Sequence, residues 1–201
     1  MAVRADAEVC LRADGCRLIA GVDEAGRGCL AGPVVAAAVI FPPGSIIAGI
    51  DDSKRLSPRR REQLDVAIRG HALAIGFGVI REDVIDAVNI LQATLLAMQQ
   101  AIDALDPPPD FVLIDGDRSP DCPIPHRAIP AGDRLCYSIS AASILAKVAR
   151  DRIMQGYHRA LPQYGFAQHK GYGTRDHLLA IVRFGPSPLH RKSFKGVREQ
   201  L

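Results

Sequence analysis

Apolar positions along this chain gather into short runs of two periods, and their alternation predicts an α/β fold with a mixed sheet flanked by helices. Leu18, Ile19 and Ala20 open a run over 18–23 that ends in acid, and residues 34–41 form a second run stopped by Pro42-Pro43-Gly44. Runs rich in Val, Ile and Ala, bounded by Gly and Pro, read as strands. Ser57-Pro58 sets an N-cap residue before a proline at the first helical position, so a helix opens there and runs to about residue 69. Residues 73–80 alternate well enough for a third strand, and short connections make the first three strands a meander. Asn89 then caps a helix in which Leu91, Leu95, Met98, Ile102 and Leu105 recur at spacings of four and three, a core-facing stripe ended by Pro107-Pro108-Pro109. A short strand over 111–114 follows and again ends in acid, at Asp115-Gly116-Asp117. A weaker strand over 126–130, a helix over 138–154, a glycine-rich loop over 168–174 and a last helix over 175–184 complete the order.

A helix between two strands that both end in acid predicts a crossover, which lays those strands parallel with both acidic ends on one edge. Ligands of open α/β sheets gather outside such strand ends. Asp23, Glu24 and Asp115, with Asp133 at the start of a helix, are therefore candidate oxygen ligands for a hard divalent cation, magnesium or manganese rather than zinc. Neighbours on a regular strand point to opposite faces, so Asp23 and Glu24 share a site only where the strand ends or twists, as Gly26 permits. In Gly26-Arg27-Gly28 the glycines let backbone amides approach a ligand, and Arg27 can fork onto a phosphate or hydroxyl. Ser140, Ser143, Lys147 and Arg150 share one face of the 138–154 helix, either to admit a ligand or to pack closely through the serines.

Composition narrows the rest. With 201 residues and 48% hydrophobic content the chain supports one generous core, read as residues 1–16, a loosely ordered lead-in, and 17–201, a single domain with a small helical C-terminal extension from about 156. A net charge of +3 requires a polyanionic partner to be met by a local basic face, for which Arg59, Arg60, Arg61, Lys147 and the tail from His190 to Arg198 are candidates. The five cysteines make no C-x-x-C pair, which favours reduced thiols in a cytoplasmic protein over a disulfide framework or zinc site. The apolar run 29–41 is broken by Gly and Pro and too short for a bilayer, so no membrane role is expected, and a monomer is the default. No Gly-x-Ser-x-Gly or P-loop pattern is present.

Five segments, in order, carry a resemblance: Gly21-Val22-Asp23-Glu24-Ala25-Gly26-Arg27-Gly28, Asp52-Ser53-Lys54-Arg55-Leu56-Ser57, Leu113-Ile114-Asp115-Gly116, Ile139-Ser140-Ala141-Ala142-Ser143-Ile144-Leu145-Ala146-Lys147-Val148 and His169-Lys170-Gly171-Tyr172-Gly173-Thr174. Together they resemble bacterial ribonuclease HII, from about Leu18 to Phe194. The resemblance implies a ribonuclease H-like fold. It also implies an endonuclease that cuts the RNA strand of RNA-DNA hybrids and nicks 5′ of ribonucleotides embedded in duplex DNA, through a two-metal site for Mn2+ or Mg2+. By motif position it implies that Asp23, Glu24, Asp115 and Asp133 are the family's four acids, that Gly26, Arg27 and Gly28 read the ribose 2′-hydroxyl, and that Tyr172 packs on the sugar. Lys54, Ser143, Lys147, His169 and Lys170 are assigned more loosely to substrate phosphates. Cys29 stands where the family usually has proline. A non-catalytic nucleic-acid binding module and another metal-dependent nuclease or phosphoesterase on the same scaffold are the alternatives.

Overall fold

Alternate residues of one strand explain the layering. Strand β2 (Val34–Ile40) is buried along its whole length. Its Val34, Ala36, Ala38 and Ile40 join the core formed with helix α3 (Glu82–Asp103), whereas Ala37 and Val39 face α2 (Pro58–His71) and α5 (Tyr137–Ala160). The sheet is thus sandwiched, and the central alanines keep both helix layers close. The molecule is a computed structural model that describes residues 5–201, so the first four residues of the expected lead-in lie outside it.

The sheet order is β3-β2-β1-β4-β5, with β1 at Ile19–Ala25, β3 at Ala74–Ile80, β4 at Phe111–Asp115 and β5 at His126–Ile129. The first three strands are the expected antiparallel meander, and β4 runs parallel to β1 through the α3 crossover. β5 adds a further parallel edge. At Gly21 a Cβ would sit 2.2 Å from the Ser138 carbonyl carbon, so only glycine lets α5 cross β1 this closely.

Helix α3 begins earlier than the sequence pattern indicates. Asn89 does cap, its Oδ1 accepting from the amides of Leu91 (3.0 Å) and Gln92 (3.2 Å), but it does so inside the element, at φ 70°, after a stretch over 82–88 too short to display a period. Met98 packs in the core as expected, joined there by the small residues Ala93, Ala97 and Ala101.

The N-terminal lead-in is corrected: residues 6–13 form a helix, α1 (Asp6–Ala13), rather than a loose segment. Leu11 packs with Ile19, Leu113 and Ile139, and Glu8 Oε1 accepts from the Ser138 amide (2.8 Å) and hydroxyl (2.7 Å), capping α5 from outside. Leu113, Ser138 and Ile139 lie more than a hundred residues away, beyond the reach of a local pattern. After the short α4 (Gly132–Leu135) and α5 come α6 (Phe166–His169) and α7 (Arg175–Phe184). The C-terminal segment returns to the body, with Ala31 bridged to His190 and Asp86 accepting from the amides of Lys192 (2.8 Å) and Ser193 (2.9 Å). Among the described residues no helix is long and apolar enough to cross a membrane.

Candidate active site

The parallel pairing of β1 with β4 stops at Val22 and Ile114, and the acids lie just beyond that point. Asp23, Glu24 and Asp115 each direct a carboxylate oxygen into one cluster whose atoms all lie within 4.8 Å of one another. Asp23 and Glu24 share the site because they occupy the end of β1, two and one residues before Ala25, where Gly26 turns the chain at φ 98°. Asp23 Oδ1 accepts from the Glu24 amide at 2.7 Å, fixing the first carboxylate against its own backbone. Asp133 is buried beside the cluster without belonging to it: its amide donates to Asp115 Oδ1 (3.2 Å), and its carboxylate accepts from Lys54 Nζ (3.1 Å).

The electrostatics match a site built for positive charge. Burial, then the charges of Glu24 and Asp115, push the Asp23 carboxyl well above the usual carboxylate range. Glu24 is raised by burial against the opposing pull of Arg27, whose Nη1 lies 3.4 Å from Oε1, and Asp115 is raised chiefly by burial. One buried and two half-buried carboxylates that repel one another suit oxygen ligation of a hard divalent cation. Lys54 is handled differently: burial disfavours its charge, yet the hydrogen bond and charge of Asp133 outweigh that and raise it.

Two residues beside Lys54 have a structural role that no single motif position reveals. Asp52 is buried, accepts from the Lys54 amide (2.9 Å) and pairs with Arg134 Nε (3.1 Å); Ser53 Oγ meets Ser143 Oγ at 2.9 Å. Ser143 in turn hydrogen-bonds the Asp23 side chain. The Asp52-Ser53-Lys54 segment therefore holds the far wall of the acid cluster; its place among the five resembling segments was the signal in the sequence, but the roles of Asp52 and Ser53 were not assigned from it.

The Gly26-Arg27-Gly28 turn follows the acids, and the Arg27 and Gly28 amides find no acceptor among the described residues. Tyr172 is brought to it by the bridge to Cys29 and by the Leu30 amide donating to Gly171 (2.8 Å). The Tyr172 ring is half-exposed, with Lys147 Nζ 5.6 Å from its centroid. A groove of about 490 Å³ lies beside it, lined in part by Arg61, Lys147, Asp151 and Lys170. A larger groove, about 960 Å³, runs between α1 and β5 and contains none of the three clustered acids.

Several expectations for polar groups are corrected. His169 spends both ring nitrogens on backbone, Nε2 on the Tyr164 carbonyl (2.7 Å) and Nδ1 on the Gly171 amide (3.2 Å), so it fastens the loop and has nothing left for a phosphate. Ser140 donates back to the carbonyls of Asp133 and Cys136, and Arg150 is fully buried among carbonyls, whereas Ser143 of that helix face meets Asp23 and Lys147 lies over Tyr172. In the tail, His190 and Arg191 are buried and belong to no open basic face.

A mixed sheet of this order, with acids at adjacent parallel strand ends, defines a protein of the ribonuclease H-like class. The family model described as Ribonuclease HII matches residues 20–197. The ribonuclease HII of Geobacter sulfurreducens is 57% identical over 93% of this chain and 86% of its own. Among solved structures, ribonuclease H2 from Pyrococcus horikoshii OT3 superposes with a TM-score of 0.74 at 24% identity, covering 90% of this chain and 96% of that one. The ribonuclease HII of the PCNA complex from Archaeoglobus fulgidus superposes with a TM-score of 0.73 at 26% identity, covering 89% and 95%. The chain belongs to the ribonuclease HII family, and it is accordingly a metal-dependent endoribonuclease.

Proposed function

We propose that this protein cuts the RNA strand of RNA-DNA hybrids and nicks duplex DNA just 5′ of embedded ribonucleotides, leaving 5′-phosphate and 3′-hydroxyl ends. The observation that carries this reading is the placement of the three-carboxylate cluster immediately before a turn whose Arg27 and Gly28 amides have no acceptor among the described residues and which lies beside a half-exposed tyrosine. Asp23, Glu24 and Asp115 hold the metal site, and Asp133 joins them from the Lys54 side. A pair of Mg2+ or Mn2+ ions bound there supplies water activation and charge neutralisation at the leaving oxygen. The chain's own groups do the recognising. The Arg27 and Gly28 amides meet the ribose 2′-hydroxyl, the feature that separates RNA from DNA, and the Tyr172 ring packs on that sugar. Lys54, Ser143, Lys147 and Lys170 line the path of the phosphates. We place the protein in the cytoplasm, a reading supported by its five free cysteines, and take it as a monomer.

The test is cleavage of an end-labelled DNA duplex with one ribonucleotide, beside an all-DNA control, with Mg2+, Mn2+ or chelator. A single metal-dependent nick 5′ of the ribonucleotide, absent from the control, is expected. No nick under any condition from folded protein would favour a binding module or another phosphoester substrate. Tyr172→Ala is expected to weaken the preference for the RNA-to-DNA junction while metal dependence persists; an unchanged cleavage ladder removes that role.

A further inference from the structure

Behind the turn stand two fully buried arginines whose hydrogen bonds, among the described residues, go to backbone carbonyls. Arg191 donates through Nη1 to Arg27 O (2.8 Å), through Nη2 to Gly26 O (2.8 Å) and Gly32 O (2.8 Å), and through Nε to Gly32 O (3.0 Å). Arg150 donates to Pro33 O (2.9 Å), Ala31 O (3.0 Å) and Lys170 O (2.8 Å). Residues 26–33 are thereby clamped by two guanidiniums, and one of them also grips the loop that carries Tyr172.

Removing two like charges from water is expensive, and burial together with Arg150 brings Arg191 down to about 10. Such a pair could have been replaced by apolar packing unless the carbonyls it meets need holding. The carbonyls identify what is held. In a trans peptide the N–H points opposite the C=O. The carbonyls of Gly26 and Arg27 face Arg191, so the amides of the same two peptide planes, those of Arg27 and Gly28, face the other way, and neither has an acceptor among the described residues. Gly26 is obligatory for this contact, since a Cβ there would lie 2.0 Å from Arg150 Nε.

We propose that Arg191, backed by Arg150, is a positioning residue for ribose recognition: by pinning the Gly26 and Arg27 carbonyls it holds the Arg27 and Gly28 amides as an outward donor pair for a sugar hydroxyl, in fixed relation to Tyr172. The inference rests on the reading of the turn as the ribose sensor. Lysine at 191 keeps the charge but cannot reach three carbonyls from one planar group, so charge and geometry separate experimentally.

The test compares wild type, Arg191→Lys and Arg191→Ala on three duplexes: one ribonucleotide, the same sugar as 2′-fluoro, and all DNA. Circular dichroism melting reports folding, and competition with the all-DNA duplex reports general binding. Arg191→Lys is expected to lose about tenfold or more in kcat/KM on the ribonucleotide duplex, with general duplex binding unchanged, and methylguanidinium is expected to restore part of the activity of Arg191→Ala. Folded Arg191→Lys with wild-type kcat/KM and wild-type ribose-to-fluoro ratio overturns the proposal. Wild-type enzyme that cuts the fluoro and ribose duplexes equally removes the ribose-sensing reading itself, and the proposal with it. If neither variant folds, arginine-labelled wild type in chelator is titrated with the ribonucleotide and all-DNA duplexes. A larger shift of the Arg191 guanidinium resonances with the ribonucleotide duplex supports the proposal, and identical shifts overturn it.

Discussion

The acid cluster and the arginine pair both bury like charges, on either side of the turn that begins at Gly26, and they treat that charge in opposite ways. Asp23, Glu24 and Asp115 face one another with few donors, and all three carboxyls are raised in pKa. Arg150 and Arg191 meet six carbonyls, those of Gly26, Arg27, Ala31, Gly32, Pro33 and Lys170, and need no counter-ion. Charge left uncompensated marks where something binds, whereas charge fully hydrogen-bonded to backbone marks what must not move.

That contrast is sharpest at Asp23. Asp23→Asn is expected to lower metal-dependent cleavage by at least about 10³-fold, the scale of losing ~4 kcal/mol of transition-state stabilisation, while the metal-free protein melts higher because one of three repelling carboxylates is gone. Added Mn2+ is expected to raise the melting temperature of wild type but not of the variant. A variant that cuts normally, or melts lower without metal, contradicts the assignment of uncompensated charge.

On the cationic side the largest expected effect is steric. Gly26→Ala places a Cβ 2.0 Å from Arg150 Nε at φ 98°, and Arg150 is tied to three carbonyls and cannot retreat. Urea unfolding is expected to show a loss of ~3 kcal/mol; a loss under ~1 kcal/mol would mean that the clamp yields.

A third test uses the histidines that support the clamp. His190 Nδ1 accepts from Ser187, His190 Nε2 lies 3.1 Å from His177 Nε2, and His177 Nδ1 donates to the Tyr172 carbonyl at 2.9 Å, a chain complete with both rings neutral. Burial lowers each to about 4, with the charge of His169 adding to both shifts and that of His177 adding to the shift of His190. An unfolded chain takes up these protons near pH 6.5 and the folded one only near 4, so stability is full above about 6.5 and declines as pH falls through that window. The slope per histidine is ~1.4 kcal/mol per pH unit at its steepest. The raised carboxylates act in the opposite sense, so the readout is wild type minus His190→Gln across pH 4 to 7; an identical slope in both removes the histidines from the account.

The smallest effect belongs to α1. Glu8→Ala removes the acceptor from the Ser138 amide and hydroxyl and is expected to cost ~1–2 kcal/mol in urea unfolding, with the ratio of ribonucleotide to all-DNA cleavage unchanged.

Much of this molecule was legible in one dimension because its signals are local. The acid-ended strands, the meander, the Ser57-Pro58 helix start and the stripe through Met98 each depend on residues within a turn or two, and the crossover rule then placed Asp115 beside Asp23. The ordering of α1, the pairing of Asp133 with Lys54 beside the three-acid cluster and the diversion of His169, Ser140, Arg150, His190 and Arg191 into scaffolding were decided only by tertiary structure. A side chain's role there depends on which backbone groups surround it: for Arg150 and Arg191 most of them come from residues 26–33, more than a hundred positions away, and for His169 and Ser140 they are near neighbours that only the folded loop and helix turn toward the side chain. The residue types that build the site are thus written in the chain, but whether a buried charge is satisfied or left waiting is a property of the folded packing around it.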